Sequence, residues 1–323
     1  MKRFVLLALP ALALVFGLAG CGSDPTSPPA GNNASLESPA IQAAMAEVPE
    51  LADVETYEAP GEAEFADAYA PAGMFSTEAA IHPVFFYRVI RERQRDVQIE
   101  TERDTVFETA RVRVVDRFAG SFNIVAADSV DTGVVVSRIR KPLRDVGVMR
   151  AVFRRPIDWE REDPVTNEIA SDGDRERHRR CRGWRLVAVS SRQIASPEHT
   201  AKIVSVRLEA RSGLDVTITD PRELMRFPNG LPKVVAGEPV KVTVQVEDPT
   251  DRLFLLCGWG RLRLRPVADG VFEGGFKAPY DLRRFRVGVN ALDRGTLFDD
   301  AAPYDSDFWG LLAHTVPPTL AGN

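Results

Sequence analysis

The sequence predicts an α+β domain over residues 39–200, followed by an all-β sandwich over residues 201–317. Three observations carry this. An Ala-rich stretch follows Ser38-Pro39, apolar and polar residues alternate from Asp96, and seven short apolar runs follow one another after Ala201.

Taken in order, Ser38 and Pro39 read as an N-cap and a first helical position, and Ile41–Glu47 as a short helix. Residues 48–73 carry Pro, Gly and acids with scattered apolar residues and predict no element. Thr77–Ile90 suits a second helix, while Pro83 restricts it and Val84–Tyr87 suit a strand equally well. Beyond Asp96 the pattern sharpens. Val106, Glu108, Ala110, Val112 and Val114 share one face, with Phe107, Thr109, Arg111, Arg113 and Val115 on the other, which predicts paired antiparallel strands. Ser121–Ala126 continues the pattern. Val148–Arg155 and Gly183–Ser191 predict two more strands, joined by a long polar loop that includes Asp172-Gly173-Asp174.

In the second half the predicted strands are Lys202–Ala210, Leu214–Thr219, Pro239–Glu247, Leu253–Leu256, Arg261–Leu264, Val271–Phe276 and Phe285–Ala291. Pro, Gly and Asp punctuate them, so a two-sheet sandwich is expected. Asp269-Gly270 fits a hairpin with Gly at positive φ. The segment 293–307 holds Asp293, Asp299, Asp300, Asp305 and Asp307, oxygen ligands of the kind Ca²⁺ takes. Their spacing departs from a calcium loop. The expectation is that no metal binds, that Asp299 and Asp305 form turns, and that Trp309 packs under the sandwich.

The 323 residues are 44% hydrophobic and 27% charged, a balance that excludes wholesale disorder and a polytopic membrane protein. The net charge of −5 hides an asymmetry: residues 22–80 hold 11 acids and no Lys or Arg. The run Arg175–Arg182 is the densest basic stretch, suited to a solvated arm or to an anionic surface, but it lacks the aromatics that stack nucleic-acid bases. Nucleophile elbow, zinc-protease, Cys-x-x-Cys, phosphate-loop and dinucleotide motifs are all missing. No catalytic residue, cofactor or metal is therefore assigned. Cys181 and Cys257 suit a disulfide or two buried thiols.

Lys2-Arg3, the apolar run Phe4–Phe16 and Leu18-Ala19-Gly20-Cys21 resemble the signal segment and lipobox of bacterial lipoproteins. The apolar run is short for a membrane span, which needs ~20 residues. The resemblance implies cleavage of residues 1–20, acylation of Cys21 with palmitate-type chains, and attachment to the cell-envelope membrane. Gly22 in place of the Asp that resembles a retention signal favours the outer membrane where one exists, and otherwise the cell surface. Residues 21–38, rich in Pro, Ser and Asn, then read as a disordered tether, and residues 318–323 as a short tail.

The long strand, charged excursion and returning Gly183-Trp184-Arg185-Leu186 strand resemble the final hairpin of the cone-shaped nuclear-transport-factor-like fold. That resemblance implies N-terminal helices packed into a strongly bent antiparallel sheet, with a pocket between them lined by His82, Tyr87, Arg88 and Trp184. From residue chemistry alone, His82 also suits a turn and Trp184 a core position. Val235–Val244 resembles the opening of immunoglobulin-like domains, which implies an immunoglobulin-like topology for the sandwich. Together these readings predict a membrane-anchored envelope lipoprotein with a non-catalytic binding or structural role. Its expected partners are the membrane, through the Cys21 lipid, and an envelope protein or glycan, with no nucleic acid. The alternative is a small-molecule binder or cofactor-free enzyme using the α+β pocket.

Overall fold

A computed structural model of the chain describes residues 34–52, 57, 82–127, 135–158, 181–197, 200–257 and 260–318. The signal segment, Cys21, residues 22–33 of the expected tether, the Asp172–Asp174 loop and Arg175–Arg180 lie outside the described residues.

The first helix, α1 (Ala34–Ala46), starts before the expected Ser38 cap and includes Pro39. It buries Ile41 and Ala44, and a single turn, α2 (Pro49–Ala52), follows. Three strands of unusual length come next: β1 (His82–Arg103), β2 (Phe107–Ala127) and β3 (Val135–Pro156). At a rise of about 3.3 Å per residue each could extend some 70 Å. Their antiparallel register is nearly unbroken, with bulges in β1 at Pro83/Phe85 and Ile90/Glu92. The β1–β2 turn is set by Asp104, whose Oδ1 accepts the N–H groups of Val106 (2.7 Å) and Phe107 (2.6 Å). Those two bonds hold its carboxyl below the usual range.

Short strands fill the rest: β4 (Arg185–Ser190), β5 (Arg192–Ala195), β6 (Ile203–Ala210), β7 (Asp215–Ile218), β8 (Leu224–Arg226), β9 (Lys233–Val235), β10 (Pro239–Val246), β11 (Arg252–Cys257), β12 (Gly260–Arg263), β13 (Arg265–Ala268), β14 (Val271–Lys277) and β15 (Arg284–Leu292). The helix α3 (Arg294–Phe298), N-capped by Asp293, leads into β16 (Ser306–Val316).

These strands make two sheets. The smaller runs β13-β14-β10-β6-β7, and the larger runs β1-β2-β3-β5-β16-β15-β11-β12, with β4, β8 and β9 attached to its side. Pairing is antiparallel except for β9 on β16. This corrects the expected α+β cone followed by a separate immunoglobulin-like sandwich. Among the described residues strand makes up 64% and helix 9%, so the N-terminal helices do not form a layer. The large sheet also draws strands from both sides of residue 200, because Ala195 of β5 pairs with Val146 on one edge and Asp307 on the other.

Alternating side chains explain the layering. Trp309, Leu311 and Ala313 of β16 join Val287 and Val289 in facing Val206, Leu208, Val242 and Val244 of the small sheet. Phe308 and Leu312, pointing the other way, enter two further clusters with the long strands. The large sheet curls so that its ends meet. Phe86 of β1 lies edge-on to Phe254 of β11 at 5.0 Å, and the Arg261 guanidinium of β12 sits 5.0 Å over the Phe86 ring. The concave side of the long strands is thus buried; on the convex side the arginine-bearing positions are exposed, whereas Val115, Ser121 and Asn123 of β2 are buried.

Candidate functional site

The expected pocket residues do not converge. Tyr87 and Arg88 are successive on β1 and so face opposite sides of the sheet. Tyr87 is half-buried, its ring 5.5 Å from Phe85. His82 opens β1 opposite Ala127, and its side chain lies outside the described residues. Trp184 is buried in the cluster with Met149 and Phe153, 4.9 Å beneath the Arg155 guanidinium, which pairs with Glu108. Cys181 shares that cluster, whereas Cys257 packs against the core between the sheets.

Arg88 organises the polar heart of the curled sheet. It donates through Nε to the Tyr304 hydroxyl (3.0 Å) and through Nη2 to Asn290 Oδ1 (2.9 Å), and lies 4.6 Å over the Tyr57 ring. Both Tyr57 and Tyr304 donate to Asp145 Oδ2. Burial pushes the Asp145 carboxyl upward, against the pull of Arg88 and the two phenols. Burial likewise raises both tyrosines, so at neutral pH they are donors. The network is enclosed by Phe118, Phe122 and Phe308 and reads as a fastening between β1, β3, β15 and the approach to β16. A second buried carboxylate, Asp116, takes both nitrogens of Arg95 at 2.8 and 3.0 Å, with Arg192 at 3.7 Å. Burial, Arg286 and neighbouring arginines push Arg192 down to about 9 against the opposing pull of Asp116.

The acidic segment is dispersed rather than convergent. Asp293 caps α3, and Asp299 accepts the N–H of Ala301 at 2.9 Å as a turn former. Asp305 differs from the expected turn former: it is buried and accepts from Ser196, Thr200 and Ala201, about a hundred residues earlier. Asp307 does similar work on Ile203 N–H (3.0 Å) and Trp309 Nε1 (3.0 Å). Among the described residues no group of three or more His, Cys, Asp or Glu is placed to hold a metal ion.

A cavity of about 560 Å³ lies elsewhere, between β7, β8 and β9, lined by Val216, Ile218, Asp220, Met225, Leu231 and Val316. Tyr87, Arg88 and Trp184 do not line it.

Among the described residues a concentration of arginines lies on the convex face of the long strands. Inward positions of β3 are odd-numbered, from Leu143 to Arg155, and inward positions of β2 are even-numbered, from Ala110 to Ala126. Outward positions therefore carry Arg138, Arg140, Arg144, Arg150 and Arg154 on β3, and Arg111, Arg113 and Arg117 on β2, all exposed. Arg111 pairs with Glu102 at 2.7 Å, whereas Arg117, Arg138, Arg140 and Arg144 form no ion pair with any described residue. Glu92, Asp96, Glu100 and Glu102 of β1 border the face on one side. Comparison with protein-family models, with curated proteins and with solved structures returned no match.

Proposed function

We propose that the protein is a lipid-anchored component of the bacterial cell envelope with a non-catalytic, surface-binding role. The eight exposed arginines on the convex face of β2 and β3 carry this reading, because they form an extended anionic-ligand surface rather than an enclosed site. Leu18-Ala19-Gly20-Cys21 supplies the anchor, with Cys21 as the acylated N-terminus. The alternative, a small-molecule pocket lined by His82, Tyr87, Arg88 and Trp184, loses support because Arg88 and Trp184 are spent on different packing clusters.

Two measurements test the two parts. Cys21→Ser shifts the protein from membranes to the soluble fraction and ends uptake of labelled palmitate. A variant that still pellets beside a wild type that takes up no palmitate overturns the anchor. Retention of the Cys21→Ser chain on a polyphosphate resin at low salt falls sharply when Arg138, Arg140, Arg144 and Arg150 are all replaced by Ser. Unchanged retention overturns the surface assignment.

A further inference from the structure

We infer that the arginine face docks on the anionic phospholipid headgroups of the same bilayer that holds the Cys21 anchor. This rests on the surface-binding reading above and names its partner. A guanidinium meets a phosphate oxygen pair with two parallel N–H donors, so each outward arginine suits one headgroup. Along β3 the outward arginines run from position 138 to 154, which at the strand rise covers about 50 Å. Those of β2 lie one strand away, at ~5 Å, so the contacts form a two-row strip rather than a point.

What lies between the arginines fits a lipid surface. Between Thr109 and Val125 and between Arg138 and Arg154 the outward positions of β2 and β3 carry no aromatic residue; the aromatics of this face sit at its margins, Phe107 under the Arg154 guanidinium at 5.4 Å and Phe85 and Tyr87 on β1. The outward positions hold instead Val146, Val148 and Val152, with Val146 39% exposed, apolar ground on which arginine stems lie while their heads reach the phosphates.

The anchor decides the occupant. Twelve residues separate Cys21 from Ala34, the start of α1, and the thirteen steps between them span at most ~47 Å. α1 packs on the concave side, so a tether that reaches the convex side has to round an edge of the sheet. An acylated Cys21 therefore keeps the strip within reach of headgroups, and weak contacts become intramolecular at high effective concentration. The acids of β1 would be repelled by the same surface, so the molecule settles with its β3 side down.

The test uses the full-length Cys21→Ser chain, free of acyl groups, and the same chain with Arg138, Arg140, Arg144 and Arg150 replaced by Ser. Each is sedimented with phosphatidylglycerol-containing vesicles and with pure phosphatidylcholine vesicles. The apolar run 4–16 is common to both chains, so only the difference between them is read. Expected is a preference for anionic vesicles of at least about tenfold at low salt, lost in the variant and at high salt while both chains melt alike. Equal sedimentation of both chains with anionic vesicles overturns the inference. Resin retention without vesicle binding also overturns it, leaving the surface reading intact with a soluble polyanion as partner. Failure on both resin and vesicles removes both.

Discussion

The Arg88 guanidinium donates to the Tyr304 hydroxyl at 3.0 Å, joining residues 216 positions apart. Through Tyr304 the first long strand is tied to the segment that enters β16, and through Asp145, which accepts from the same hydroxyl at 2.8 Å, to β3.

Removing Arg88 leaves Asp145 buried without its cation. Arg88→Met should cost about 3–5 kcal/mol of stability, read as a lowered urea midpoint. Asp145→Asn in the same background should recover part of that loss. A double variant as unstable as the sum of the two singles would show that the residues are not coupled.

Asp305 fastens residues 196–201 to the segment before β16. Burial alone would raise its carboxyl, but the donors of Ser196, Thr200 and Ala201 hold it below the usual range. Its stabilisation is therefore complete above the unfolded value near pH 4 and disappears as pH falls through the lower folded value. Asp305→Ala should cost about 2–4 kcal/mol at pH 7 and progressively less below pH 4. A difference between wild type and variant that stays constant down to pH 2 would contradict this.

Asp251 behaves in the opposite sense. Burial, reinforced by Asp248, Asp293 and Asp305, pushes it up to about 7. Such a group takes nothing from stability below pH 4. Between pH 4 and 7 the unfolded chain ionises first, and stability is lost. Asp251→Asn should leave the denaturation midpoint unchanged at pH 4 and stabilise at pH 8 by about 1–3 kcal/mol. Equal effects at both values would exclude ionisation as the cause.

Gly120 lies beside the β1 bulge, where a Cβ would stand 2.0 Å from the Val89 carbonyl oxygen. Gly120→Ala must push the two backbones apart, at a cost of about 2–4 kcal/mol. Hydrogen exchange should show the loss in β1 around residues 86–92, and protection that remains intact there would refute it.

The sequence made the strands legible more readily than their partners. The apolar pattern located β6, β7, β10, β11, β12, β14 and β15 to within a residue or two: β6 and β10 alternate because one face lies in the core, while β11 and β15, buried on both faces, read as continuous apolar runs. β16 was hidden: its Asp and aromatic residues resemble turn and cap chemistry, and Asp307 is buried only because Ile203 and Trp309 donate to it. The sheet order was equally hidden, since nothing near Arg192–Ala195 announces a partner at residues 307–310. For the arginine face the signal was present. The outward arginines of β3 are all even-numbered, but Pro142, Gly147 and the inward polar residues Lys141 and Asp145 mask the alternation. Lys141 points inward because the carbonyls of Gly295 and Asp299, at the end of α3, accept its ammonium. Only the folded chain reveals that.

The place of β16 has a consequence for the order in which the protein can form. It lies mid-sheet, between β5 and β15, and also carries β9 along its edge. A nascent chain emerging from its N-terminus can pair β1, β2 and β3, and then β4, β5 and β8, early, but cannot join them through the sheet to β15, β11 and β12 until residues 306–316 have been synthesised. Until then the apolar side of the long hairpins has no lid. The strand that closes the large sheet is thus the last of the described strands to be synthesised.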